Sequence, residues 1–292
     1  MSLIKTTANA DQTEALNQVP IPNSKSVYKR SRYNFGFTSG LKRSFDSLIL
    51  LIVMIGLWWG IETIDGKGIF FYFSKPSAVY LALISAMTSG YFWSNFWSTF
   101  EATLVAFVIG SLAGIIIGFA VTTVPRFERA LEPFASMLNS LPRIALAPVF
   151  VVMLGISQSA KISVGASLVV FVLYYNTRAG MKSAQRDWLL MAETLGFNRW
   201  QIFVKIQGPA AWPSLFAGLR LGFTYGLLGV VSTEIIAARA GLGLLVETYS
   251  SELLMAKVYA VLIILAITAG LIYWVMGILE KRLMRWDVSN NK

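Results

Sequence analysis

The chain contains no cysteine and no histidine, and only 14% of its 292 residues are charged. The first two absences remove thiol nucleophiles, disulfides, histidine acid–base chemistry and the commonest ligands for zinc, copper or haem. The third excludes an ordinary soluble domain, in which about a quarter of residues are charged. The G-x-x-x-x-G-K-[ST] loop that cradles nucleotide phosphates is also missing. Residues 36–42 (GFTSGLK) resemble it only superficially, with the wrong spacing and no strand–helix unit after them. No carboxylate pair, catalytic triad or metal cluster stands out, so a conduit fits the chain better than an enzyme, and no cofactor is expected on it.

What the sequence has is apolar length. Hydrophobic residues make up 55% of the chain, and its mean hydropathy is +0.61. A spanning helix needs about 20 mostly apolar residues. Six stretches qualify, at 45–62, 97–121, 134–155, 161–178, 213–236 and 257–279. Their apolar runs are continuous rather than alternating, which predicts helices and excludes a β-barrel. The expected fold is an all-α membrane protein with six transmembrane helices. Several runs carry Gly, Pro or a single charge, which suits helices packed in a bundle.

The net charge of +10 would suggest nucleic acid in a soluble chain. Here the excess of Lys and Arg in cytoplasmic segments gives a better account, and no nucleic-acid partner is expected. With the N-terminus inside, the internal segments hold eighteen Lys/Arg and the external ones five, Lys161 and Arg239 among the latter. Both termini are therefore expected in the cytoplasm. Residues 1–44 read as a polar arm with basic anchors for membrane lipids and not as a cleavable signal. Residues 45–287 form the membrane domain and 288–292 a short tail. The aromatic-rich stretch 66–95 reads as an external connection with an interfacial amphipathic helix around 78–87.

Gly110, Gly114 and Gly118 share one helical stripe, and Gly218, Gly222, Gly226 and Gly229 form a similar one. Such stripes let backbones approach closely, and they can also serve as sliding surfaces. Three charges lie in or near the spans: Glu101, Arg143 and Arg220. Glu101 is close enough to an edge to snorkel. Arg143 and Arg220 need either structural partners or an anion drawn into the path. Pro142 and Pro148 disrupt helical hydrogen bonding around Arg143, and broken helices at membrane depth line a cavity or a joint.

Residues 185–209 (QRDWLLMAETLGFNRWQIFVKIQGP) are a polar, amphipathic interruption between two spans. They read as helix, glycine, helix. Gly196 can take positive φ and end the first helix, and Asn198 can cap a second over 199–205. Gly208-Pro209 is expected to stop that second helix before the next span. An ordinary interfacial helix and a docking surface for a soluble ATPase both fit this pattern.

The loop resembles the E-A-A-x3-G-x9-I-x-L-P loop of type I ABC importer permeases, with Ala192, Gly196, Ile206 and Pro209 on motif positions. The first two positions hold Leu190 and Met191, and the acidic group is supplied by Glu193 or Asp187. The stretches 194–203, 213–221, 234–243, 280–286 and 141–148 are similar to the nitrate/sulfonate/taurine branch, over roughly residues 75–287. The resemblance implies a type I permease fold in the bacterial plasma (inner) membrane. It also implies a second permease copy, expected to be identical, an ABC ATPase dimer carrying ATP-Mg, and an extracytoplasmic solute-binding protein. The ATPase would be coupled through Asp187, Ala192, Glu193, Gly196, Ile206 and Pro209. Pro142, Arg143, Pro148 and Arg220 would lie along a path for a small anion. The competing expectation is an ATP-independent transporter or channel, whose mark would be inward-facing carboxylates.

Overall fold

The computed structural model describes residues 49–50, 52–54, 56–60 and 74–284. The expected arm at 1–44, the tail at 288–292 and the aromatics Phe70–Phe73 lie outside the described residues. The chain divides into the units Met1–Ile52 and Val53–Lys292. The second holds every helix from Pro76 onward. Among the described residues there are helices and no strands.

The helix α1 (Pro76–Thr88) begins with proline in its first turn, where a missing N–H costs nothing. A helix stands where one was expected at 78–87, but it is apolar around most of its circumference rather than amphipathic. The next helix, α2 (Gly90–Thr123), starts at Ser89, whose hydroxyl accepts the Phe92 N–H at 3.3 Å. Its 34 residues are about 51 Å long, more than a bilayer core needs. The expected third span is two helices, α3 (Pro125–Ser140) and α4 (Ala147–Leu154), meeting at 78°. Leu141 is extended, as the residue before a proline prefers. A 3-10 turn at Arg143–Leu146 then re-enters the helix. The two prolines act differently: Pro142 breaks the span, whereas Pro148 sits in the first turn of α4.

The long helix α5 (Gln158–Lys182) is capped by Ser157. The short helices α6 (Arg186–Thr194) and α7 (Arg199–Ile202) come next. The latter runs through a π turn at Phe203–Gln207 into α8 (Gly208–Ile236). The expected stop at Gly208-Pro209 is thus corrected. Proline is tolerated in a first helical turn, and the wider π turn, closed by Gly208 N–H to the Phe203 carbonyl, carries the chain past it. The chain ends in α9 (Leu242–Ser251) and α10 (Met255–Leu283).

Four single helices and the bent pair are long and apolar enough to cross a membrane. They correspond to five of the six expected spans. The first, 45–62, lies partly outside the described residues, and those that are described there are helical.

The core is built on α5, held between α2 and α8. Both glycine stripes face it. A Cβ on Gly110 would stand 2.6 Å from that of Val169, and one on Gly118 2.7 Å from that of Thr177. From the other side, a Cβ on Gly218 would stand 2.7 Å from that of Asn176, and one on Gly229 2.9 Å from the Gly165 Cα. Phe107, Val169, Leu173 and Phe223 fill the centre. By contrast α10, though strongly apolar, buries only 6% of its best spanning window.

Candidate functional site

The loop between α5 and α8 is closed at its base. Ser183 Oγ donates to the Ala210 carbonyl at 3.1 Å, and Gly180 lets α5 approach Ala211 to backbone contact. The first helix of the loop ends in a Schellman turn. Gly196 has φ +75°, its N–H donates to the Glu193 carbonyl at 3.0 Å, and the Phe197 N–H donates to the Ala192 carbonyl at 2.9 Å. The second helix opens with a capping box: Asn198 Oδ1 accepts the Gln201 N–H at 2.8 Å while Gln201 Oε1 accepts the Asn198 N–H at 2.9 Å. The N–H groups of residues 195–198 at the corner are therefore all bonded within the loop itself.

Ala192 is the one buried residue of α6. Asp187, Glu193 and Pro209 are exposed and Ile206 is half-buried. Around them Trp188, Leu190, Met191, Leu195 and Trp200 are all more than half or about half exposed, Trp200 reaching 70%. Such a patch on a polar loop marks a surface that another protein or a lipid face covers. Behind it, Arg178 binds Glu128 and Glu132, each at 2.5 Å, and Lys182 binds Glu128 at 2.6 Å. These bridges tie the end of α5 to α3.

Deeper in the bundle, Arg143 and Arg220 do not face one another. Arg220 pairs with Glu280 of α10 and lies over the Tyr273 ring. Arg143 is turned toward α5, its guanidinium 3.8 Å from the Phe171 ring centre and its Nη2 2.7 Å from Asn139 Oδ1. It lines a cavity of about 510 Å³ between the broken span, α5 and α8. Pro142 and Pro148 flank that turn. Glu101 is exposed on α2.

One site was missed in the sequence. Lys161, counted there as an external residue, is buried near the start of α5, and Glu234 is buried near the end of α8. Their ion pair is 2.9 Å long. The Lys161 ammonium also donates to Ser98 Oγ and to the Ala240 carbonyl, each at 3.0 Å. The Glu234 carboxylate accepts Thr99 Oγ1 at 2.8 Å and the Gly243 N–H at 3.0 Å. Thr99 and Asn95 in turn accept the N–H groups of Leu242 and Gly241, both at 2.7 Å. The turn before α9 is thus held at successive residues by side chains from α2, α5 and α8. The charges within the spans number more than the three expected, and a carboxylate stands among them. That carboxylate is committed to a structural pair.

Residues 110–285, more than half of the chain, match the family described as binding-protein-dependent transport system inner membrane component. The chain belongs to this family. It is an ABC importer permease, and its place is the bacterial inner membrane. Over 82% of its length it is 29% identical to a riboflavin transport system permease protein of Chloroflexus aurantiacus, covering 90% of that protein. It is 27% identical to a putative aliphatic sulfonates transport permease protein of Bacillus subtilis, covering 95% of this chain and 98% of the relative. With a taurine transport system permease protein of Escherichia coli the identity is 28%, over 90% and 96%. Solved transporters share the type I fold. An inward-facing MetNI methionine ABC transporter superposes with TM-score 0.58 at 19% identity, over 64% of this chain and 94% of the other. A bacterial ABC transporter importing the acidic polysaccharide alginate gives 0.59 at 14%, over 84% and 98%.

Proposed function

We propose that this permease passes a small anion, delivered by an extracytoplasmic solute-binding protein, and is driven by a separate ATPase dimer carrying ATP-Mg that docks on the 185–209 loop from the cytoplasm. The observation that carries the reading is the loop itself: two short helices, a corner fixed by the Gly196 turn and the Asn198 box, and an exposed patch of Trp188, Met191, Leu195 and Trp200. A rigid, apolar knob pinned at its base transmits a push into α5 and α8 where a flexible loop would absorb it. Asp187 and Glu193, exposed on α6, supply the charge that the family motif places at position 190, three residues from each. Ala192 is the residue that α6 buries, and Ile206 and Pro209 lie where the loop joins α8.

The anion reading is supported by relatives named for sulfonates and taurine, and by relatives named for bicarbonate and nitrate. Within this chain the path is assigned to the break at Pro142, Arg143 and Pro148. Arg220, neutralised by Glu280, anchors α8 to α10 beside it. A second, identical copy completes the conduit.

Affinity purification of the tagged chain from native membranes tests the assembly. Recovery of an ATPase and a solute-binding protein, together with vanadate-sensitive uptake, is the expected result. Trp200→Ala and Met191→Ala are expected to lose the ATPase while leaving the permease folded, because exposed positions change stability by only about 0.5 kcal/mol. A chain that purifies only with itself and transports without ATP would establish the ATP-independent alternative instead.

A further inference from the structure

Arg143 differs from every other buried or half-buried cation among the described residues. Lys161 has Glu234, Arg178 has Glu128 and Glu132, and Arg220 has Glu280. Lys182, half-exposed, has Glu128. Arg143 is 9% exposed and meets only neutral groups: the Asn139 side chain, the Leu138 carbonyl at 3.4 Å and the Phe171 ring. Only its Nη2 donates to the protein. Among the described residues its Nε and Nη1 have no protein partner, and they open onto the adjoining cavity, where an anion would complete the guanidinium. Its in-plane N–H fork suits the paired oxygens of a carboxylate or sulfonate.

The cavity beside it decides what kind of anion. Its volume of about 510 Å³ lies in the range of sites for organic ligands. A water-sized group occupies about 30 Å³, so an inorganic oxyanion of four atoms leaves most of that space unfilled. The lining combines two kinds of surface. Arg143, Asn139 and Asn176 offer polar groups, whereas Leu168, Leu221 and Tyr225 offer aliphatic and aromatic surface. The Phe171 ring covers one face of the guanidinium, which keeps the fork edge-on to an incoming head group.

We propose that the Arg143 cavity is a binding subsite for an organic anion, a carboxylate or sulfonate head on a compact apolar body, and that bare inorganic oxyanions are poor ligands for it. The assignment rests on the permease reading and narrows its substrate class. The test uses the purified permease–ATPase complex in lipid nanodiscs, without its solute-binding protein, and labelled benzoate and butanesulfonate as probes. Saturable binding of at least one of them is expected, with excess nitrate or bicarbonate failing to displace it. Arg143→Gln is expected to weaken that binding about tenfold or more, and Arg143→Lys, which keeps the charge and loses the fork, to fall between. Thermal unfolding and subunit stoichiometry establish that each variant is assembled. Should Arg143→Gln fail to assemble, the lysine variant decides. Displacement by nitrate equal to that by unlabelled probe, unchanged binding in an assembled variant, or no saturable binding by the wild type would each overturn the subsite. The permease reading stands or falls separately, on whether the ATPase is present in the preparation and uptake needs ATP.

Discussion

Glu234→Gln removes one charge from the most completely bonded polar site in the bundle and keeps its shape. A glutamine carbonyl still accepts from Thr99 and from Gly243 N–H, whereas the Lys161 ammonium loses its only counter-ion in a place where its side chain is 5% exposed. Breaking one partner of a buried pair costs about 3–5 kcal/mol, because the surviving charge is left uncompensated. Lys161→Met does the converse and strands the carboxylate. The double variant strands neither charge. It leaves the Ala240 carbonyl and the Ser98 hydroxyl without Lys161, a cost of about 1 kcal/mol each because both bonds are only part-buried and water can replace them. The double variant is therefore expected to be more stable than either single one.

Two assays read this. Thermal unfolding of the purified complex orders the variants. Thiol labelling reads the turn locally, and the native chain, lacking cysteine, gives no background. A single reporter, Leu244→Cys, sits half-buried on α9. If the lost bonds lower the opening free energy of the turn by about 3 kcal/mol, labelling accelerates about a hundredfold in the single variants. Additive losses in the double variant, or single variants that unfold and label like the wild type, would refute the account of this pair as a mutually neutralising clamp.

Gly196→Val is expected to assemble but to uncouple ATP hydrolysis from uptake, because φ +75° is strained for a β-branched residue. Gly196→Asn, which tolerates that backbone, is expected to retain most uptake; equal uptake in the valine variant sinks the coupling role. Gly114→Ala is expected to destabilise the bundle by about 1–3 kcal/mol, since its Cβ would strike the Val170 carbonyl. Gly270→Ala on α10, with nothing within 4 Å, is expected to be neutral or slightly stabilising in the same unfolding assay.

The features legible in the sequence were the local ones. Gly196 and Asn198 act on backbone groups within a few residues, so their roles follow from the residue type and its place in a pattern. The break at Pro142 was legible for the same reason. Lys161 and Glu234 are 73 residues apart, and Glu234 sits at the end of an apolar run where one acid looks incidental. Lys161, at the edge of a span, reads as an interfacial lysine until the fold sets a carboxylate beside it. Arg220 and Glu280 hid in the same way, 60 residues apart, with the acid assigned to the tail. The misread stop at Gly208-Pro209 has another origin. Proline ends a helix by its effect on the preceding turn, but the π turn at Phe203–Gln207 shifts the hydrogen bonds ahead of Pro209 and lets the helix continue, and no residue in the sequence marks a π turn.

These long-range pairs bear on how the molecule can move. Near one end of α5, Lys161 holds the turn before α9; near the other, Arg178 and Lys182 hold α3, about 30 Å away along the helix. Between them Gly114 fits around the Val170 backbone, and Gly229 meets Gly165. Shear of α5 along α2 or α8 would drive side chains into these notches and break the Lys161 cluster. Packed interfaces of this kind change in discrete steps or not at all. The helices α2, α5 and α8 therefore act as one block, and motion falls to the joint that carries less packing, the 78° break before α4. A cross-link introduced between α2 and α5 in the cysteine-free chain is expected to leave uptake running. One between α4 and α5 is expected to stop it. Arrest by the first cross-link would mean that the glycine stripes are sliding surfaces after all, and that the clamp at Lys161 opens in every cycle.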